Sequence, residues 1–292
     1  MSTWQTASLS GVAERTDGHP RRDVRERVLD VAQQLVDARG LTVGLGHLSF
    51  EEVITKAEVS RTTAYRVWPR KERFLEDLLR RLADTCSPCH GDADQETTEV
   101  ALATLRGLVD DLATQAGRRI ALVEVCRVTG AQSFEDMRSS PKWTTYVALI
   151  ATMRSLGDEA LTQELRERMR HVEDEAVAFV AAACRHIGGL TGFRLRTIPG
   201  DYSTVAHLGA AAMEGMLLLA DIRPTIPSAT ARIDPFGTGR LAEWSLPAIA
   251  YTSAMIGVLE PDPDFNLEEV RAILGSAGRD VGADEQSHRQ GP

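Results

Sequence analysis

The segment from Ser49 to Arg73, SFEEVITKAEVSRTTAYRVWPRKER, holds two helix starts and one helix stop in close succession. Ser49-x-x-Glu52 is a capping box, in which the serine hydroxyl accepts from the Glu52 amide and the Glu52 side chain reaches back to the Ser49 amide. Phe50, Val53, Ile54 and Ala57 then fall on one side of a helix of about two turns. Glu58 and Val59 make a tight connection, Ser60 caps a second helix, and Pro69 closes it. That second helix buries Ala64, Trp68 and part of Tyr65 and turns Arg61, Thr62, Thr63 and Arg66 outward. Two short helices joined by a tight turn, the second with a polar and basic outer face, make a helix-turn-helix. A plain helical hairpin inside a bundle has the same pattern, and spacing alone does not separate the two.

The residue types on the outer face suit duplex DNA. Arginine pairs with the major-groove edge of guanine, and threonine donates to a base or touches a thymine methyl. Tyrosine, serine and lysine hold phosphates and set the register. Lys71 follows Pro69 at the start of the next helix, where helix amides and a lysine form a phosphate clamp. The net charge of −9 argues against nucleic acid until its distribution is read. Residues 21–82 carry an excess of three positive charges, which leaves −12 on the remainder. Val59–Arg73 holds five basic residues, Arg61, Arg66, Arg70, Lys71 and Arg73, against the single acid Glu72. A basic island on an acidic body fits a DNA reader carried by a separate sensor domain, and it also fits a solvated helix face.

The rest of the chain is patterned as helix, so the fold class expected is all-α. Val24, Val28, Val31, Ala32, Leu35 and Val36 share a stripe, and so do Phe74, Leu75, Leu78, Leu79 and Leu82. Further helices are expected near 99–116, 118–134, 141–156, 158–188, 202–222 and 241–259, with a short one near 266–274. No alternating Val/Ile/Tyr-rich run bounded by turns occurs, so strands are not expected. Residues 1–20 read as a disordered arm, 21–86 as the helix-turn-helix domain, 87–98 as a polar break, 99–274 as a larger helical domain and 275–292 as a disordered tail. Loops are expected at 188–200 and at 222–240, the latter with Pro224, Pro227 and Pro235. No run reaches the ~20 uninterrupted apolar residues of a membrane helix, since Val205–Ala220 is broken by His207 and Glu214. No secretory signal is read in the first twenty residues, and a cytoplasmic protein without membrane association is expected.

Residues 24–82 resemble the DNA-binding domain of the TetR family of transcriptional regulators. The family pattern has a first helix ending in glycine, a Thr/Ser-started helix, a Val-Ser turn and then Thr-Leu-Tyr-x-His-Phe-x-x-Lys-Glu. Here it reads Gly40, Ser49, Val59-Ser60 and Thr63-Ala64-Tyr65-Arg66-Val67-Trp68-Pro69-Arg70-Lys71-Glu72. Glu58, Ala64 and Val67 stand where the family has Gly, Leu and His, and Trp68 replaces Phe. The first departure bears on the turn, because glycine takes positive φ freely and glutamate does not. The resemblance implies a base contact from Thr63, phosphate contacts from Tyr65 and Lys71, and Ser49 facing the DNA backbone at its helix start. It also implies a homodimer on a palindromic operator, pairing through the last two long helices, here 202–222 and 241–259. Gly209, Ala210, Ala211, Ala212 and Gly215 suit close helix approach there, or equally the core of one chain. Repression released by a small-molecule effector bound in the second domain completes the expectation, together with no cofactor and no enzymatic activity.

Other signals are weaker. Cys86-Ser-Pro-Cys89-His90 has the spacing of c-type haem attachment, a dithiol or half a zinc site, while Cys126 and Cys184 read as small buried hydrophobes. Gly44-Leu-Gly46 lacks a dinucleotide loop's third glycine, and Ser139-x-x-Lys142 lacks its catalytic partners. His171 and Glu175 share a helix face without a third ligand. Trp143, Tyr146, Met153, Phe179, Met213 and Met216 are candidates for an effector pocket, with core packing as the alternative for each. The rival to a regulator is an all-helical enzyme or haem/metal protein whose N-terminal helices only pack.

Overall fold

The computed structural model describes residues 20–39, 48–86 and 91–275. Cys89, Gly40, Gly44 and Gly46 lie outside these residues. So do the expected arm and tail, save that Pro20 already starts a helix and residue 275 ends one.

The fold is all-α. Helices α1 (Pro20–Arg39), α2 (Phe50–Lys56), α3 (Arg61–Val67) and α4 (Lys71–Thr85) form the N-terminal bundle. Then come α5 (Gly91–Gly107), a 3-10 turn (Asp111–Ala113), α6 (Gln115–Ser139), α7 (Pro141–Ser155), α8 (Glu159–Thr191), α9 (Tyr202–Ile222), α10 (Leu246–Gly257) and α11 (267–275). Helix starts are set by polar caps: Thr114, Ser140, Asp158, Asp201 and Ser245 each accept from an amide of the first turn. Pro141 and Pro247 stand in the first turns of α7 and α10, where the missing amide costs nothing. α8 ends at Gly192, whose φ of 74° is left-handed and where a Cβ would lie 2.4 Å from the Arg118 side chain.

Three expectations are corrected. Strands are present: β1 (Phe193–Leu195) pairs antiparallel with β4 (Leu259–Pro261), and β2 (Thr230–Ile233) pairs with β3 (Ala242–Ser245). Each is three or four residues long, too short for a period of two to register in sequence. The β2–β3 hairpin fills the loop expected at 222–240, its turn tied by the Asp234 carboxylate to the Thr238 and Gly239 amides. The polar break is also shorter than expected, because α5 already runs from Gly91. The first buried residue among its described side chains is Ala101, so the residues before it read as loop.

The N-terminal bundle shares one apolar core with α7, the first half of α8 and part of α9. Val28, Ala32, Val36, Val53, Ile54, Phe74, Leu78 and Leu82 continue into Trp143, Leu149, Leu165, Met213 and Leu217. A chain of polar contacts reinforces the junction. Trp68 Nε1 donates to Asp77 at 2.7 Å, and Asp77 pairs with Arg80 at 3.2 Å. Arg80 pairs with Glu164 of α8 at 3.0 Å, and Arg168 bridges Glu164 and Asp84. Burial opposes ionisation of Glu164, but Arg80 and Arg168 hold its carboxyl below the ordinary range.

α9 is, by length and composition, apolar enough to cross a bilayer, with a mean hydropathy of 1.4 over its most apolar stretch, which differs from the reading of the sequence. One side, Val205, Ala206, Gly209, Met213 and Leu217, is buried within the chain. Gly209 is filled by Met255 and Tyr251 of α10, so at this position the small residue serves the core of one chain.

Candidate nucleic-acid interface

α2 and α3 meet through an aromatic cluster. Phe50 packs against Tyr65, Trp68 and Phe74 with centroids 5.5, 6.0 and 4.7 Å apart, and Trp68 meets Phe74 at 5.5 Å. The cluster fixes the crossing of the two helices and buries Ala64 and Trp68. Ser49 caps α2 by accepting from the Glu52 amide at 3.4 Å. The Glu52 carboxylate is turned to Arg39 at 2.6 Å and Lys56 at 3.4 Å, so it braces α1 against α2. Burial works against the charge on Glu52, and the Arg39 hydrogen bond outweighs it and lowers the pKa.

The turn depends on Glu58, whose φ of 54° makes it the non-glycine residue in the left-handed region among the described residues. Its amide donates to Thr55 O and the next amide to Ile54 O, which ends α2 and redirects the chain. The backbone therefore adopts the geometry that glycine takes freely, with a side chain present.

Ser60 caps α3 through the Thr63 amide at 3.2 Å, and its hydroxyl lies 2.8 Å from the Thr63 hydroxyl. Thr63 is half-buried and part of this cap. Arg61, Thr62, Tyr65 and Arg66 are exposed on the outer side of α3. Arg61 pairs through Nε with Glu51 of α2 at 2.6 Å, and the Tyr65 hydroxyl donates to the same carboxylate at 3.0 Å, which raises the phenol pKa. Glu51 is a residue that sequence reasoning missed, because its partners lie ten and fourteen positions away across a turn. Lys71 opens α4, and no side chain caps the amides of that first turn. The outer surface of α3 thus carries guanidinium and hydroxyl donors, two of them held by Glu51, and α4 starts at Lys71 without a side-chain cap.

The candidate effector residues separate. Trp143, Tyr146 and Met213 are buried in the core shared with the N-terminal bundle, and Met153 and Met216 pack against it. Phe179 lines a cavity of about 130 Å³, bordered by Val125, Cys126, Cys184, Val205 and Met255. Burial pushes the Cys184 thiol up to about 11 and that of Cys126 higher still. Cys86 is buried at the end of α4, its thiol pushed up to about 12. His171 lies 3.7 Å from Glu175 with both side chains exposed. Among the described residues no three His, Cys, Asp or Glu side chains converge as a metal-ligand set.

No protein-family model and no curated protein matches the chain. Among solved structures, the chain is similar to the reduced form of NemR from E. coli, with a TM-score of 0.43 and 18% identity over 82% of this chain and 100% of that one.

Proposed function

We propose that the chain is a dimeric, ligand-responsive transcriptional regulator of the TetR type, which residues 24–82 resemble, and that it acts as a repressor on a palindromic operator. The observation that carries the reading is the outer face of α3. Arg61, Thr62, Tyr65 and Arg66 stand exposed on a helix whose opposite side is locked into an aromatic core, beside the uncapped start of α4 at Lys71. Rigid placement of short, polar and cationic side chains on one protruding helix is what reading a major groove requires. Arg61 and Arg66 serve base edges, while Ser49, Ser60, Tyr65 and Lys71 serve phosphates. Thr63 orients the helix start through Ser60, and Thr62 stands free for a base.

The dimer is supported by the outer stripe of α9. Leu208, Ala211, Gly215, Leu218, Leu219 and Ile222 recur at helical spacing, and the four large residues among them are between 41% and 78% exposed. A stripe this apolar pairs with a second copy in an isologous contact, which places two α3 helices about a two-fold axis. The effector acts by binding one arrangement of the two readers better than the other. The polar chain from Trp68 through Asp77, Arg80 and Glu164 joins α3 to α8 and supplies a rigid link for that coupling.

The test is fluorescence anisotropy on duplex DNA from upstream of the gene, with Arg61→Ala/Arg66→Ala as the comparison. Both side chains are exposed, so the variant keeps its fold. Loss of tight, salt-dependent binding in the variant supports the reading. Equal binding by both proteins contradicts it.

A further inference from the structure

We infer that the cavity between the start of α6 and the β1–β4 pair is a site for a small amphipathic monoanion, a medium-chain aliphatic carboxylate being the simplest member of the class. The inference deepens the reading above by naming the effector's chemistry, and only its regulatory consequence rests on that reading.

The cavity measures about 390 Å³, within the range of small-molecule sites. Leu122, Phe193, Ile256 and Leu259 form an apolar floor, and Arg119 and Arg196 stand at the rim. Among the described residues no carboxylate borders it. That is unusual for this chain, whose net charge is −9 and where most hydrogen-bonded guanidiniums meet an acid. Among the described residues, the hydrogen-bond partners of these two guanidiniums are backbone carbonyls. Arg119 Nη2 donates to Phe236 O at 3.4 Å, and Arg196 Nε donates to Leu259 O at 2.8 Å. Arg196 is thereby anchored at the rim with its terminal amino groups still available. Two guanidiniums that make no ion pair among the described residues, on the edge of an apolar hollow, match a ligand with one anionic end and one apolar end.

Leu122 and Leu259 also border the cavity of about 130 Å³ that Phe179, Cys126 and Cys184 line. The two hollows therefore lie back to back across these leucines. The apolar end of a ligand held at Arg119 and Arg196 points toward the second hollow, so the site favours an extended apolar chain over a compact one.

The experiment is calorimetric titration of the full-length protein, free of DNA, with octanoate, octan-1-ol and octylammonium. The comparison protein is Arg119→Ala/Arg196→Ala, whose replaced side chains are exposed and whose melting temperature verifies its fold. Octanoate is expected to bind at least about tenfold more tightly than octan-1-ol, octylammonium to bind worst, and the variant to lose the preference for octanoate. Octan-1-ol binding as well as octanoate, no binding by either, or an unchanged preference in the variant overturns the assignment. Because no DNA is present, the outcome is separate from that of the operator reading. Octanoate binding by a chain that ignores DNA contradicts only the regulator. DNA binding by a chain that ignores octanoate contradicts only this site.

Discussion

The Glu51 carboxylate of α2 holds Arg61 of α3, with Glu51 Oε2 2.6 Å from Arg61 Nε. The same carboxylate accepts the Tyr65 hydroxyl at 3.0 Å. An acid on the first helix thus occupies two of the groups assigned to DNA on the second, and a phosphate must compete with it. Glu51→Gln keeps an acceptor for Tyr65 and removes the charge. It is expected to tighten non-specific duplex binding by about three- to tenfold at low salt, with the gain shrinking as salt rises. Anisotropy titrations across a salt series measure this. Weaker binding by the variant would show that Glu51 orients Arg61 instead of competing for it.

Glu58 gives a stability prediction of definite sign. A non-glycine residue in the left-handed region costs about 1–2 kcal/mol, and Glu58 sits there at φ 54°. Glu58→Gly relieves that strain but loosens the unfolded chain, so a net gain of about 0.5–1 kcal/mol is expected. Glu58→Val is expected to destabilise by more than this, since a β-branched side chain tolerates the region least. Urea melts of the two variants give both values.

Glu214 on α9 makes stability depend on pH. Burial, and then the charge of Glu173, raise its carboxyl above the ordinary value of 4.5. Between 4.5 and the raised value the folded chain keeps a proton that the unfolded chain has released. The stability linked to this group is complete below about pH 4.5 and is lost as pH rises through the native value. Glu214→Gln removes the titration. Its melting temperature should exceed that of the parent at about pH 7, with the difference closing toward about pH 4.5. Equal melting temperatures at neutral pH would contradict this.

The α9 stripe predicts oligomeric state. Leu218 and Ile222 are 46% and 78% exposed, one turn apart on the outer face. Leu218→Arg/Ile222→Arg places two cations at the proposed contact without touching the buried side of α9. Light scattering is expected to give a dimer for the parent and a monomer for the variant, with operator affinity falling at least about tenfold as the second half-site is lost. A monomeric parent would contradict the proposed dimer.

Much of the N-terminal bundle was legible because its boundaries are written in single residues. Ser49 and Ser60 cap through side chains, and the stripes that follow them are the ones buried. What failed to read was set by partners distant in sequence. The helix expected from 241 begins at Leu246, because 242–245 pairs with 230–233. The full capping box did not form, because Arg39, thirteen residues earlier, takes the Glu52 carboxylate. Trp143 and Tyr146 have the composition of pocket residues, yet the N-terminal bundle leans on them, and composition does not encode that contact. Cys126 and Cys184 read as separate small hydrophobes, yet α6 and α8 bring them to one cavity from 58 positions apart.

If two copies of α3 read DNA about a two-fold axis, selection of bound sequences from random duplexes by the purified protein enriches a near-palindrome with half-sites about one helical turn apart or a multiple of it, and the enrichment is lost in Arg61→Ala/Arg66→Ala. A pool that stays random, or enriches equally with that variant, would contradict that arrangement.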